Sequence, residues 1–189
     1  MMLVWIVLAV VVLYFVITYN SLVSVRNNVE KAWSNINVLL KQRHDELPKL
    51  IDTCRQYMRH EQATLEKVIQ ARAQVNEARD SHDVTALGQA EGALRVGLGG
   101  LFAVAESYPE LKSNQNFVML QTRITGLENQ IADRREFYND SVYMNNVRVQ
   151  QFPDLIVAKL LGFAKESLLK FSSEELQDVD VSQRFNAKL

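Results

Sequence analysis

The sequence predicts an all-α protein: an N-terminal transmembrane helix followed by a long antiparallel up-and-down helical bundle. Three observations predict it. The first seventeen residues, Met1 to Ile17, carry no charged residue, no Gly and no Pro. Beyond them apolar side chains recur every three or four positions over most of the chain, the spacing that gathers them on one face of a helix. Seven Gly and three Pro among 189 residues leave little of the turn chemistry that a β-rich fold requires.

The N-terminal run is almost wholly aliphatic and reaches nineteen residues with Thr18 and Tyr19. At ~1.5 Å per helical residue it spans about 28 Å, close to the ~30 Å hydrocarbon core of a bilayer. Leu3, Ile6, Leu8, Val12, Phe15 and Ile17 supply its apolar surface; Trp5 and the pair Tyr14 and Tyr19 are placed near the two interfaces, with plain apolar filler as the other reading. A cleaved signal peptide fits poorly: no basic side chain precedes the run, no A-x-A site follows it, and the single cysteine, Cys54, is not at its end. A soluble core helix fits poorly too, because a run with no polar face needs protein on every side. The expectation is a retained anchor over residues 1–19. Arg26, Lys31, Lys41 and Arg43 follow it, so the positive-inside tendency places the C-terminal domain in the cytoplasm.

The roughly 170 residues that follow suit one domain with a real core rather than two. A net charge of −1 argues against a nucleic-acid partner, which calls for a basic stripe. One cysteine excludes an internal disulfide.

Leu22, Val25, Val29, Ala32, Trp33, Ile36, Leu39 and Leu40 open a two-faced helix, which Leu47, Leu50, Ile51, Cys54, Met58, Leu65, Val68 and Ile69 continue. Pro48 removes a backbone donor, so the expectation is one long helix kinked near Leu47. The pattern fades over residues 76–85, where Asp80, Ser81, His82 and Asp83 read as a loop, with Asp83 or Thr85 as the next N-cap. A second helix over about 86–107 holds five of the seven glycines: Gly88, Gly92, Gly97, Gly99 and Gly100. Each costs about 0.5–1 kcal/mol relative to Ala, so close packing against a neighbouring helix is the expected reason, with a hinge as the other reading. Tyr108 to Lys112 read as a turn. Ser113 or Asn114 caps a third helix of about 54 Å, on which Asn145 falls on the apolar stripe and reads as a register-setting residue. Phe152-Pro153 ends it, a fourth helix spans Asp154 to Leu161, and Gly162 caps that. The bundle is expected over residues 20–163 and a polar tail over 164–189, with an amphipathic piece around Leu168, Leu169 and Phe171 able to dock.

No catalytic constellation is assembled by spacing. His60-Glu61 lacks the second His of a zinc-protease helix, since Thr64 stands there. His44, His60 and His82 do not form a ligand pair. Gly97-Leu98-Gly99-Gly100 lies within a helical pattern rather than after a strand, which excludes a phosphate cradle. No catalytic, metal or cofactor-binding residue is assigned, no cofactor is expected, and no small-molecule substrate is implied.

Asn20, Arg26-Asn27, Trp33, Arg43, Asp45 and Pro48 resemble the opening of the LemA family. Tyr108-Pro109 and Lys112 resemble its central stretch. Glu128-Asn129, Arg135, Tyr138-Asn139 and Phe152-Pro153 resemble its end. The resemblance covers roughly residues 19–171. It implies a bacterial single-pass membrane protein with a helical bundle, one relative of which helps make an intracellular membrane compartment. It implies no catalytic residue, so the motif positions are read as structural.

Two functions of different class follow. The first is a non-catalytic scaffold in the bacterial inner membrane that self-assembles or binds other membrane proteins of the envelope, with the lipid bilayer as its constant partner. The alternative is an adaptor or regulator of a membrane protease or envelope-stress pathway. An enzyme is not expected.

Overall fold

The computed structural model describes residues 1–170. Among them the chain forms six helices and no strand: α1 (Met2–Tyr57), α2 (Gln62–Asp80), α3 (Val84–Ala105), α4 (Pro109–Lys112), α5 (Gln115–Gln150) and α6 (Asp154–Leu161). The all-α expectation is met. Residues 171–189, which hold most of the expected tail and Phe171, lie outside the described residues.

The chain comprises two compact units. The first joins Met1–Glu46 to Thr122–Leu168, and the second joins Leu47–Gln121 to Leu169 and Lys170 among the described residues.

In the first unit α1 and α5 run antiparallel. Trp33 meets Tyr138, Arg43 meets Glu128 and Glu46 meets Arg123, so numbers fall on α5 as they rise on α1. Leu22, Val29, Ala32, Ile36 and Leu40 are the buried stripe of α1, and Ile124, Leu127, Ile131, Tyr138, Val142 and Val149 that of α5. Helix α6 closes the unit: Val157 and Ala158 bury against Leu22 and Val149, with Phe163 packed on them. Gly162 ends α6 with φ +74°, a left-handed conformation that glycine adopts without a Cβ penalty.

The second unit holds an αα-hairpin of α2 and α3. Leu65, Val68, Ala71, Val75 and Ala78 of α2 are buried, as are Leu87, Ala90, Leu94, Leu98, Leu101 and Ala105 of α3. Three residues connect the helices. His82 takes φ 55° there, and the Asp83 carboxylate caps α3 by accepting from the Thr85 and Ala86 N–H groups at 3.0 and 2.9 Å.

Two expectations are corrected. The first helix does not run through to Ile69. It continues past Pro48 to Tyr57, and residues 58–61 interrupt the helix before α2, with the Glu61 N–H bonding the Met58 carbonyl at 3.2 Å. The apolar period survives on both sides because Met58 and Leu65 are both buried, so periodicity alone hides the break. The loop expected at Asp80 to Asp83 forms over residues 81–83, with α2 helical to Asp80. Tyr108 to Lys112 is a one-turn helix from Pro109 rather than a simple turn, with Leu111 fully buried.

Asn114 caps α5, its Oδ1 accepting from the Asn116 and Phe117 N–H groups, while its Nδ2 donates to the Tyr57 hydroxyl at 3.0 Å. One amide thus starts a helix and ties it to the end of α1.

Candidate functional site

Every side chain from Met1 to Ile17 is exposed in the fold. Trp5 is 68% exposed, and Leu3, Ile6, Leu8, Val12, Phe15 and Ile17 are solvent-facing as well. Helix α1 is the one helix among the described residues that is long and apolar enough to cross a membrane. So much unsatisfied apolar surface is costly in water, at about 25 cal/mol per Å². Protein contacts begin where the run ends. The Tyr14 hydroxyl donates to Asp154 Oδ1 at 2.9 Å, Thr18 is buried, and Tyr19 meets Phe163 edge-on at 6.3 Å.

The motif positions fall into three groups. Some tie elements together within the first unit. Arg43, 1% exposed, pairs with Glu128, and the Trp33 ring lies 5.7 Å from that of Tyr138. Some organise the second unit. Pro109 opens α4, Lys112 pairs with Glu106, and the Tyr108 hydroxyl donates to Glu61 at 3.3 Å. Burial and the Glu61 carboxylate raise the Tyr108 phenol above its ordinary pKa. The rest, Asn20, Asn27, Asp45 and Asn129, are exposed, as are Phe152 and Pro153 just before α6, while Pro48, Arg135 and Asn139 are half-buried. Arg26 pairs with Glu30 one turn on at 3.4 Å, a surface pair of small value.

Sequence reasoning missed the residues that hold residues 164–167. The Asn145 Nδ2 donates to the Ala164 carbonyl at 3.2 Å, Asn146 binds Glu166 through both ends of its amide, and the Tyr138 hydroxyl donates to the Ser167 carbonyl at 3.1 Å. Leu169 is buried and Leu168 is 37% exposed. Asn145 therefore has a structural role, anchoring an irregular segment. Repeated Asn on one long helix was the available signal, since a buried amide must find partners.

The glycine-rich helix divides in two. A Cβ on Gly88 would lie 2.0 Å from the Lys170 carbonyl oxygen, so close backbone approach explains that position. A Cβ on Gly97 would meet Val68 at 3.5 Å, an ordinary contact, and one on Gly99 or Gly100 would meet nothing within 4 Å. Packing inside the second unit therefore does not account for the last two. The outer side of the α2–α3 hairpin holds an open groove of about 700 Å³, lined by Thr64, Lys67, Gln74, Gly92, Val96 and Gly100 among others, and Val96 is 70% exposed beside it.

Cys54 is fully buried, and burial pushes its thiol up to about 12, the setting of an inert cysteine. Among the described residues no three His, Cys, Asp or Glu side chains gather as a metal cluster.

These features define an all-α protein with one helix of membrane-spanning length and apolarity. The family model of LemA matches residues 32–183, and the chain belongs to the LemA family, which is not a known enzyme family. The Protein LemA of Metamycoplasma hominis is 27% identical over 182 residues, covering 95% of this chain and 82% of that protein. A magnetosome protein MamQ of Paramagnetospirillum magneticum is 33% identical over 76 residues, and the magnetosome protein MamQ of Magnetospirillum gryphiswaldense is 32% identical over 76. Those matches cover 40% of this chain and 28% of each magnetosome protein.

Proposed function

We propose that this protein is a non-catalytic, membrane-anchored helical scaffold that self-assembles or binds other envelope proteins. The observation that carries the reading is the exposed run Met1–Ile17, continuous in one helix with the antiparallel α1–α5 pair of the first unit. Apart from the Tyr14–Asp154 hydrogen bond the run stays exposed in the fold, whereas a bilayer satisfies its apolar surface along its length. On this reading residues 1–19 anchor the chain and the helices beyond present surfaces to partners. Exposed Arg26, Lys31 and Lys41 follow the anchor and favour a cytoplasmic C-terminal domain in the bacterial inner membrane. Membership in the LemA family supports the same reading.

The α2–α3 groove is the surface offered to a partner helix. Gly100 leaves space for close approach and Val96 supplies apolar area. Val96→Cys with a bifunctional thiol reagent in intact membranes tests this. A protein adduct is expected, with a second copy or with another envelope protein. Complete modification of the introduced thiol by a small reagent, with no protein adduct, contradicts it.

A further inference from the structure

We propose that α6 is a second membrane contact: a short interfacial helix that lies in the headgroup region beside the anchor, with Phe152, Ile156 and Leu160 in lipid. The inference rests on the anchor reading above and extends it to a part of the chain about 140 residues away.

One face of α6 is tied to α1 at the end of the apolar run. Asp154 takes the Tyr14 hydroxyl, Val157 and Ala158 pack with Leu22, and Phe163 meets Tyr19. Helix α6 therefore sits alongside residues 14–22 of α1. Tyr14 precedes Tyr19 by about 7 Å along the helix, and interfacial helices bury their apolar faces ~5–10 Å deep. The α6 contact thus falls at the depth where the anchor would leave the hydrocarbon.

The other face of α6 has no apolar partner within the first unit. Ile156 is 61% exposed and Leu160 72%, one turn apart, and Phe152, 75% exposed, precedes them. Lys159 is exposed between them, where its stem can lie along lipid while the ammonium reaches phosphates. The carboxylate on this helix does not oppose the contact. Asp154 is buried on the α1 side, and Arg148 donates to it at 2.6 Å. A bilayer is chosen over a second copy because this patch lies beside the exposed surface of Met1–Ile17 at Tyr14, so one medium covers both.

Nitroxide labels at Ile156→Cys and Leu160→Cys in the full chain, reconstituted in phosphatidylcholine–phosphatidylglycerol vesicles, test the proposal by collision with oxygen and with a nickel chelate. Leu8→Cys is the lipid reference and Val38→Cys, 55% exposed on α1, the water reference. The buried Cys54 is not labelled, which the parent chain verifies. Oxygen-rich, nickel-poor behaviour at 156 and 160 relative to Val38 is expected. The expected oxygen-to-nickel ratio at 156 and 160 is interfacial, well above that at Val38 and below that at the deeper Leu8. Nickel access equal to that at Val38, with Leu8 still in lipid, overturns the proposal and leaves the anchor standing. Nickel access at Leu8 as well overturns both. Spin–spin broadening at 156 and 160 that vanishes on dilution with unlabelled chain assigns the patch to a second copy and also overturns it.

Discussion

Asn146 and the backbone of Glu166 exchange two hydrogen bonds: Nδ2 donates to the Glu166 carbonyl at 2.9 Å, and Oδ1 accepts from the Glu166 N–H at 2.8 Å. The side-chain amide pairs with the backbone as a neighbouring strand would, and it fixes an irregular segment on α5. Each such bond contributes about 0.5–1.5 kcal/mol net. Asn146→Ala is expected to lower stability by about 1–2 kcal/mol and to speed hydrogen exchange at the Glu166 amide, with little change elsewhere on α5.

Arg43 is the most buried charge in the first unit, and its partner Glu128 keeps 22% of its side chain exposed. Arg43→Ala leaves Glu128 short of its partner and opens a cavity. A loss of about 3 kcal/mol is expected, at the low end for a broken buried pair because Glu128 retains water. Arg43→Met combined with Glu128→Leu should recover part of it. Urea denaturation of the three chains in detergent checks both.

Tyr138 is raised to about 12 by burial and then by the Glu166 carboxylate. The folded state therefore holds the phenolic proton more tightly than the unfolded chain, whose tyrosine titrates near ~10. This contribution is fully present below pH ~10 and is lost as pH rises towards 12. Tyr138→Phe should remove the last phenol from an ultraviolet pH titration and flatten the fall in stability over that window.

Gly99 and Gly100 cost helix stability without any packing return inside the second unit. Gly99→Ala is expected to stabilise by about 0.5–1 kcal/mol. Gly100→Ala should stabilise similarly yet reduce cross-linking from Val96→Cys, because its methyl enters the groove. Gly88→Ala should destabilise, since the Lys170 backbone must move. Thermal unfolding of the three variants separates these cases.

The helices were legible wherever one face stays buried along an element. Residues 154–161, the Gly162 cap and the Asp83 and Asn114 caps follow from local chemistry and stand as expected. The break at residues 58–61 was not legible, because buried apolar residues continue on both flanks and neither Gly nor Pro marks it. Tyr14 with Asp154, and Asn146 with Glu166, were illegible for another reason. They join positions far apart in sequence through single polar groups, and no periodicity encodes which groups meet. The glycine cluster was visible as a cost, but only the fold separates Gly88, which a backbone crowds, from Gly99 and Gly100, which face open space.

The most direct test of the account is whether the full-length chain, in membranes of the cell that makes it, resists alkaline carbonate extraction. The account predicts that it stays with the bilayer fraction, and that Val7→Arg with Val11→Arg, both in the exposed apolar run, releases a folded helical protein. Release of the unaltered chain into the supernatant would contradict it.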